Sequence, residues 1–278
     1  MSTATASLAG NAWLVAREPI HIGGADSENR GNNNPIFRLP DRTPVLPGSS
    51  LRGALREHAE ADPTYKGDVQ NWFGGNPTES APGRISLGWG WPVWWPVHVL
   101  GYGNWWVSCP TWLRRYGKLT GQSVSFAANP VLITDPEMAG QTVFLRWVKL
   151  ENVTYQDPAP LPLPPELDNY RQRLLVVPDD SITVLVDMGL VRQPRVSLKS
   201  VEEFDQENEK EPDKADKNTL VRNLFAVEAI PPGAAFLLSW SSRTEVNNLP
   251  AWEQFLHQEH YVGGLWSVGY GRVIVEGI

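Results

Sequence analysis

Proline and glycine occur too often in this chain for long helices to dominate its fold. The sequence contains 24 of each in 278 residues. Proline removes a backbone donor and glycine weakens a helix interior, so these residues, scattered among short apolar runs, favour strands and loops. A chain of this length can bury a sizeable core, either as one large domain or as two small ones.

The short apolar runs predict where most of the β-structure lies. Strands are predicted at 11–17, 84–87, 195–198, 224–229, 234–240 and 272–275. We expect the runs 224–229 and 234–240 to pair with each other around the turn Ile230–Gly233. Helices are predicted after Gly48, over 111–119 and over 252–258.

Tryptophan is unusually frequent and is concentrated in one stretch. Seven of the 13 tryptophans lie between residues 88 and 112. Exposed aromatic faces can stack on bases, but tryptophans at this density more often form a core or a subunit interface. We therefore expect this stretch to be mainly structural.

The net charge of −7 is concentrated in one segment. Residues 201–216 hold eight acidic residues and two lysines, a net −6, so the rest of the chain carries −1. The acidic balance argues against a general nucleic-acid binder, although a nearly neutral body can still carry a basic groove. The acidic run itself predicts a disordered or projecting solvated loop.

Two further features bear on where the protein acts. No apolar run approaches the roughly 20 residues that a membrane-spanning helix needs, and the N-terminus lacks the basic and apolar regions of a signal peptide. Cys109 is the only cysteine, so no internal disulfide can form and the cytoplasm is the expected location.

The segment Pro47–Arg56, PGSSLRGALR, is the first candidate binding site. A turn leads directly into a helix, and Ser49 or Ser50 is expected to act as its N-cap. Free backbone N–H groups at the start of a helix bind anions, and Arg52 and Arg56 share one helix face beside them. The segment therefore predicts either a phosphate site or a capped helix whose arginines are only solvated.

The polar loop upstream of this helix is a second candidate site. Its glycine and asparagines at 31–34 tolerate left-handed backbone, and long polar loops in compact domains are often functional. Asp26, Glu28 and Asp41 are the acids of this region. A carboxylate here could position a metal or a 2′-hydroxyl for RNA cleavage, although most loop carboxylates are only solvated.

Other chemistries find little support. The chain has no nucleophile elbow, and Cys109 is expected to be a buried small apolar residue. His257 and His260 are too few to predict zinc, and we expect them on a surface helix. The glycines of 263–271 precede a strand, whereas a dinucleotide fingerprint follows one. They can still bring backbone N–H groups to a phosphate.

Three motifs in a fixed order carry a resemblance to a known family. They are HIGG at 21–24, PGSSLRGALR at 47–56 and GGLWSVGYGRV at 263–273. Together they resemble the RAMP superfamily of CRISPR-associated proteins, and most of all the Cmr-type backbone subunit of type III effector complexes. The similarity continues at 83–87, 96–116 and 224–236, and so spans nearly the whole chain.

The resemblance implies an α+β fold with a ferredoxin-like (RRM-like) core, long insertions and a protruding thumb β-hairpin. It implies one RAMP domain over 1–278, with insertions at about 88–170 and the thumb at about 188–225. The acidic run would be an insertion near the thumb tip. The implied partners are guide crRNA, complementary target RNA, further copies in a filament and other type III effector subunits, with no membrane.

The resemblance also assigns site residues. The helix start, its arginines and the loop 263–271 would hold the guide backbone, while the thumb displaces a base from the guide–target duplex. The RNA-binding positions so implied are His21, Arg38, Gly48, Ser49, Ser50, Arg52, Arg56, Gly264, Tyr270 and Arg272.

The catalytic position departs from the family pattern. In members that cut, a loop aspartate promotes cleavage of target RNA with a divalent metal, Mg²⁺ or Mn²⁺. Aligning Ile36 and Arg38 with that pattern puts Asn33 at the aspartate position, and an amide neither takes up a proton nor carries the charge that attracts a metal. Either the subunit binds RNA without cutting here, which we favour, or Asp26 replaces the missing acid. An engineered Asp-to-Asn change would leave the same sequence.

Two other functions stay open at this point. A guide-processing endoribonuclease of the same superfamily would use a histidine or tyrosine as general base, and His21 is the early candidate. A tryptophan-rich β-protein that binds glycans would account for the aromatic stretch. It would leave the two predicted phosphate sites, at 47–56 and 263–271, without a role.

Overall fold

The computed structural model describes residues 8–23, 33–75, 82–127, 131–210, 220–242 and 244–278. Asp26 and Glu28 lie outside the described residues. The strands are β1 (Leu8–Ala16), β2 (Asn33–Asn34), β3 (Ile85–Leu87), β4 (Trp91–Val99), β5 (Gly103–Ser108), β6 (Leu132–Ile133), β7 (Val143–Leu145), β8 (Val148–Leu150), β9 (Thr154–Tyr155), β10 (Leu174–Val176), β11 (Val191–Leu198), β12 (Val221–Ala229), β13 (Ala235–Ser242), β14 (Glu259–Tyr261) and β15 (Arg272–Gly277). The helices are α1 (Gly48–Ala61), α2 (Val69–Phe73), α3 (Pro110–Thr120), α4 (Ile182–Gly189), α5 (Val201–Lys210) and α6 (Leu249–Leu256).

One large sheet organises the fold. Its strand order is β14-β15-β1-β13-β4-β5-β10-β6-β9, and β3 also pairs with β13. Strand β1 lies antiparallel to β13 on one side and to β15 on the other. Since both faces of β1 are covered, its second half is a continuous buried apolar run rather than an alternating one.

The two faces of the sheet bury separate cores. Helix α1 packs Leu51 and Leu55 on one face, together with a cluster of aromatic rings from α2 and α6. Helix α3 packs Leu113 and Tyr116 on the other face. The α+β class predicted from the sequence is therefore confirmed, while the ferredoxin-like arrangement of its core stays a prediction.

The tryptophan-rich stretch supplies much of this core, as predicted. Five of its seven tryptophans are buried, at positions 94, 95, 105, 106 and 112. The indoles of Trp94 and Trp106 donate to the carbonyl oxygens of Pro162 and Gly233, at 2.6 and 2.8 Å. Strands β4 and β5 of this stretch continue the sheet that contains β1. The expected domain limits, with an insertion at about 88–170, stay a prediction.

A separate three-stranded sheet forms a hairpin. Strands β11 and β12 pair antiparallel, and β2 adds to β12 in parallel. This hairpin covers most of the stretch predicted as the thumb at about 188–225. The predicted pairing of 224–229 with 234–240 is wrong: β12 belongs to this sheet and β13 to the large one. Two consecutive prolines redirect the chain between them, and Gly233 N–H bonds to Ala16 O.

The acidic run was predicted to be a loop, and its first part is instead helical. Residues 201–210 form α5 at the tip of the hairpin. Ser200 and Glu203 form a capping box, because the Ser200 hydroxyl accepts from Glu203 N and the Glu203 carboxylate accepts from Ser200 N. Residues 211–216 lie outside the described residues.

Within the described part of the chain, no helix is long and apolar enough to cross a membrane.

His260 was predicted to lie on a surface helix. It is instead buried in β14. Its Nε2 lies 3.0 Å from Phe255 O, so this nitrogen carries the proton and donates it. Its Nδ1 therefore accepts from the Nδ1–H of His58, 3.1 Å away. Burial lowers the pKa of His260 to about 4, with the neighbouring His58 as a second cause, and burial also lowers the pKa of His58, which Glu57 partly offsets.

The paired histidines predict a loss of stability in acid. His260 titrates near 6.5 when unfolded and near 4 when folded, so the unfolded chain binds the extra proton first. Its contribution is fully present above pH 6.5 and is lost as pH falls toward 4. At pH 5 we expect a loss of about 2 kcal/mol from this residue. The variant His260→Gln keeps a donor for Phe255 O without titrating, and denaturant unfolding across pH should show a flatter profile than the wild type.

The exposed His98 provides the control. His98→Gln should leave the pH profile of the unfolding free energy unchanged. A wild-type profile that coincides with that of His260→Gln between pH 4 and 7 would contradict the assignment.

Candidate nucleic-acid interface

Helix α1 begins differently from the prediction. Its N-cap is Pro47, and neither Ser49 nor Ser50 caps it, since no side-chain cap bond forms. Gly48 is buried, and a Cβ there would lie 2.9 Å from the carbonyl oxygens of Leu87 and Gly88. Glycine at this position thus lets the helix start pack on the break between β3 and β4. Ser49 is exposed and Ser50 half-buried, so the first-turn N–H groups that a helix leaves unbonded lie beside accessible hydroxyls.

The two arginines of α1 both have protein partners. Arg52 donates to the carbonyl of Phe73, the last residue of α2. Arg56 pairs with Glu60 one turn later, at 2.7 Å. Arg52 therefore ties α1 to α2, and both side chains are held in place on the helix face predicted to contact phosphate.

The HIGG turn and the glycine-rich loop meet directly. Gly264 N–H bonds to His21 O at 2.9 Å, and the two residues form an antiparallel bridge. Gly263 has a φ of +81°, and a Cβ there would come within 2.3 Å of His21 O. His21 Nδ1 lies 2.7 Å from Glu228 O, so the same turn also bonds to the last part of β12. Residues 21–23 and 263–273 are thus one structural unit.

Tyr270 supports the base of the hairpin. It is 5% exposed, and its hydroxyl donates to Gln193 Oε1 at 2.7 Å. The guanidinium of Arg195 lies 5.2 Å from the ring centroid, a cation–π contact. Val227, Ala229 and Leu265 complete a small core there. Tyr270 therefore joins the glycine-rich loop to β11 and β12.

Arg38 lies at the centre of an ion-pair cluster with residues of α4 and β12, at the base of the hairpin β11–β12. Its side chain is 14% exposed and pairs with Asp187 at 2.5 Å and with Glu228 at 3.4 Å. Arg42 also pairs with Asp187, and Arg192 with Glu228. Three arginines thus surround two carboxylates, which leaves one excess positive charge. The outer arginines, Arg42 and Arg192, are 60% and 49% exposed.

Arg272 opens β15 and pairs with Glu18 at 3.5 Å, next to the HIGG turn. In the same loop Trp266 is 71% exposed. The glycine-rich loop therefore exposes a large aromatic face to solvent, two residues after the Gly264 that bonds to His21.

The structure locates only part of the predicted catalytic region. Asn33 belongs to β2, which pairs in parallel with β12 at Ala226 and Val227. Asp26 lies outside the described residues. No group of three metal-ligating side chains occurs among the residues that the structure describes. The two carboxylates at this corner, Asp187 and Glu228, each face arginines, an arrangement that does not favour a cation.

One corner of the molecule, at the base of the hairpin β11–β12, thus gathers six of the twelve predicted site residues. His21, Arg38, Asn33, Gly264, Tyr270 and Arg272 lie around the hairpin base, whereas Arg52 and Arg56 contact α2 and their own helix. Sequence reasoning missed the partners Gln193, Arg195, Arg42, Asp187, Arg192 and Glu228. For Arg192, Gln193 and Arg195 the only signal was the run of polar residues in β11, which is equally typical of any solvated strand. Arg42, Asp187 and Glu228 lie outside β11 and had no such signal.

Gly263 offers a test of the unit formed by the two glycine motifs. Gly263→Ala would force a Cβ against His21 O at a positive φ, and we expect it to cost more than about 2 kcal/mol of unfolding free energy. Gly264→Ala is the matched control, because a Cβ there meets nothing within 4 Å. It should change stability by less than about 0.5 kcal/mol. Equal unfolding midpoints in urea for the two variants would show that the close approach is not constraining.

Comparisons with known proteins identify structures that share this fold. A chain in the cryo-EM structure of the type III-B Cmr-beta complex bound to cognate target RNA superposes with a TM-score of 0.76 at 15% identity, over 97% of this chain and 96% of that one. The crystal structure of Cmr4 gives 0.66 at 20% identity, over 97% and 98%. Oligomeric Cmr4 from Pyrococcus furiosus gives 0.64 at 18% identity, over 96% and 97%.

At these identities the structural likeness establishes the fold. No curated protein sequence gives a match. The family model of the RAMP superfamily matches residues 13–274, nearly the whole chain. The chain therefore belongs to the RAMP superfamily.

Proposed function

We propose that this chain is a backbone subunit of a type III CRISPR ribonucleoprotein. It binds guide crRNA through the phosphate backbone and holds complementary target RNA beside the hairpin β11–β12. The proposal rests on two contacts at the base of the hairpin. Gly264 forms a backbone bridge with His21, and the Tyr270 hydroxyl donates to Gln193 of β11. These contacts support the proposal, because one RNA strand can then contact the HIGG turn, the glycine-rich loop and the hairpin together.

The corner suits a phosphate chain. A glycine-rich loop lets an anion approach its backbone without side chains in the way, and residues 263–271 contain four glycines. The N–H groups of Gly264, Gly269 and Gly271 already donate to the carbonyl oxygens of His21, Trp266 and Pro19, so these three donors are not available to a phosphate. The arginine cluster at Arg38 adds one excess positive charge around Glu228, whose backbone oxygen lies 2.7 Å from His21 Nδ1. Exposed Trp266 gives a face on which a base or ribose can stack. Such contacts hold RNA of any sequence.

The same proposal names the partners. The neighbours described above include a complex bound to target RNA and an oligomeric Cmr4. By analogy this chain acts with guide and target RNA, with further copies of itself and with other type III subunits, in the cytoplasm. That assignment also fits the acidic bias of the sequence, since residues 201–216 carry −6 of the net −7 and the rest of the chain is nearly neutral.

Guide binding gives the first functional prediction. Arg52→Ala combined with Arg56→Ala should weaken binding of any guide sequence and lower the slope of log affinity against log salt by up to about 2. Filter binding across a salt series measures both quantities. Arg52 also hydrogen-bonds α1 to α2, so its loss is expected to lower stability. The affinity is therefore measured at a temperature at which circular dichroism shows that the variant is fully folded.

Arg171 supplies the matched control, because it is a surface arginine paired with Asp168 at i,i−3. Arg171→Ala should leave the guide affinity and the salt slope unchanged. An unchanged salt slope in the double variant would show that Arg52 and Arg56 do not contact the guide. Wild-type affinity that does not respond to salt would overturn the proposed function as a whole.

We further propose that the subunit does not cut target RNA at Asn33. An amide at that position cannot take a proton or carry the charge that attracts a metal. In a complex assembled with guide, labelled target and Mg²⁺ or Mn²⁺, the wild type should give no regularly spaced products, and Asn33→Asp should gain them. Regular cuts by the wild type that disappear in Asp26→Ala would instead establish slicing through Asp26.

A guide-processing role is the second candidate, and one contact favours it. His21 Nδ1 lies 2.7 Å from a carbonyl oxygen, Glu228 O, so Nδ1 donates and Nε2 keeps the lone pair that a general base needs. Incubation of the isolated protein with precursor RNA separates the two roles. The backbone role predicts no product, and a product lost in His21→Ala would favour processing.

A further inference from the structure

Three exposed aromatic side chains lie on two neighbouring turns. Trp147, in the turn between β7 and β8, is 85% exposed, while Phe144 of β7 and Tyr102, in the turn between β4 and β5, are each 49% exposed. The two turns meet, because Leu100 N donates to Phe144 O at 2.9 Å. We refer to Tyr102, Phe144 and Trp147 as the aromatic surface. Single exposed apolar residues are ordinary, whereas adjacent exposed rings of this size are typical of a binding surface.

The turn between β7 and β8 is held in a fixed position. The two strands pair as far as Leu145 and Val148, so only two residues form the turn. Arg146 has a φ of +49°, a left-handed conformation that is uncommon outside glycine, and its guanidinium donates to Met188 O near the end of α4. Trp147 is therefore exposed by an ordered turn.

Two arginines flank the aromatic surface. Arg146 precedes Trp147, and Arg173 lies beside the other turn, since a Cβ at Gly103 would be 3.9 Å from its Nη1. Among the residues that the structure describes, neither arginine forms an ion pair. The segments 91–108 and 139–150, which contain both turns, hold no acid. This combination of rings and cations fits an anionic ligand that carries flat apolar groups.

The aromatic surface adjoins the corner that the proposed function assigns to RNA. Strands β1 and β4 both pair antiparallel with β13, so they run in the same direction and end at the same edge of the sheet. Trp94 is level with Val15, so the last five residues of β4 extend about 16 Å further. Arg146 then bonds the second turn to α4, one residue from Asp187, the partner of Arg38. An RNA strand held at the arginine cluster can therefore continue onto the aromatic surface.

We propose that the aromatic surface binds unpaired bases of RNA by stacking. The inference rests on the proposed function and adds a second kind of contact to it, because the corner holds phosphates whereas these rings hold base faces. Aromatic rings stack on any base, so the contact is independent of sequence. In a duplex each base face is covered by the next base pair, so the ligand is a single strand. The arginines and the continuity with the corner favour RNA over a protein chain as the occupant.

A strand without bases tests the stacking directly. Fluorescence anisotropy with full-length protein compares two 12-mers of equal charge, oligouridine and a fully abasic strand. Trp147→Ala should weaken binding of oligouridine at least about fivefold and leave binding of the abasic strand unchanged. Trp147→Phe keeps an aromatic ring and should restore most of the affinity. Because this side chain is 85% exposed, its replacement leaves the core intact.

Tyr155→Ala is the matched control, because this aromatic side chain is also exposed but lies on the outermost strand β9 of the large sheet. It should leave both affinities unchanged. If Trp147→Ala weakens binding of both strands equally, or of neither, the inference is overturned. Weaker self-association in sedimentation velocity with intact RNA binding would show that a protein chain covers the surface, which also overturns it. The proposed function fails separately, if the wild type binds neither strand or binds with an affinity that does not respond to salt.

Discussion

The antiparallel pairing of β1 with both β13 and β15 determines which residues meet at the base of the hairpin β11–β12. Because these neighbours run opposite to β1, the residues that follow β1 must lie beside those that precede β13 and β15. The HIGG turn follows β1, the glycine-rich loop precedes β15, and the segment after β12 leads into β13. Motifs more than 200 residues apart in sequence are thereby brought to one edge of the sheet.

Around that edge the protein uses close backbone approach rather than long side chains. Glycine 263 permits a contact with His21 O that no other residue would allow. Carbonyl oxygens and N–H groups then lie at fixed positions, because both partners are continuous with buried strands. The charged residues nearby are restrained as well, since Arg38 is held between two carboxylates. Such a surface suits a repeating, sequence-independent ligand, because little ordering is left to occur on binding.

The sequence predicted the features that depend on local chemistry. Strand β1, the start of α1 near Gly48 and the final strand all follow from apolar runs and turn residues. The three motifs were identified from the order of short segments, and the contact between two of them, HIGG and the glycine-rich loop, follows from strand pairing. Long-range pairing itself was not predictable: β12 pairs with β11 and not with β13, and apolar alternation is the same in either case. His260 was misplaced for a similar reason, since its burial depends on α1, a distant element. The helix α5 could have been predicted from its capping box, but the density of acids favoured a loop.

The two-residue strand β2 has a mechanical consequence. It attaches the segment that carries Asn33 to β12, in register with Ala226 and Val227. The hairpin and residues 33–34 are therefore not independent: a tilt of the hairpin moves the backbone of residue 33 with it. A displacement of β12 is thereby passed directly to the position where the sequence carries an amide instead of the acid that the resemblance led us to expect.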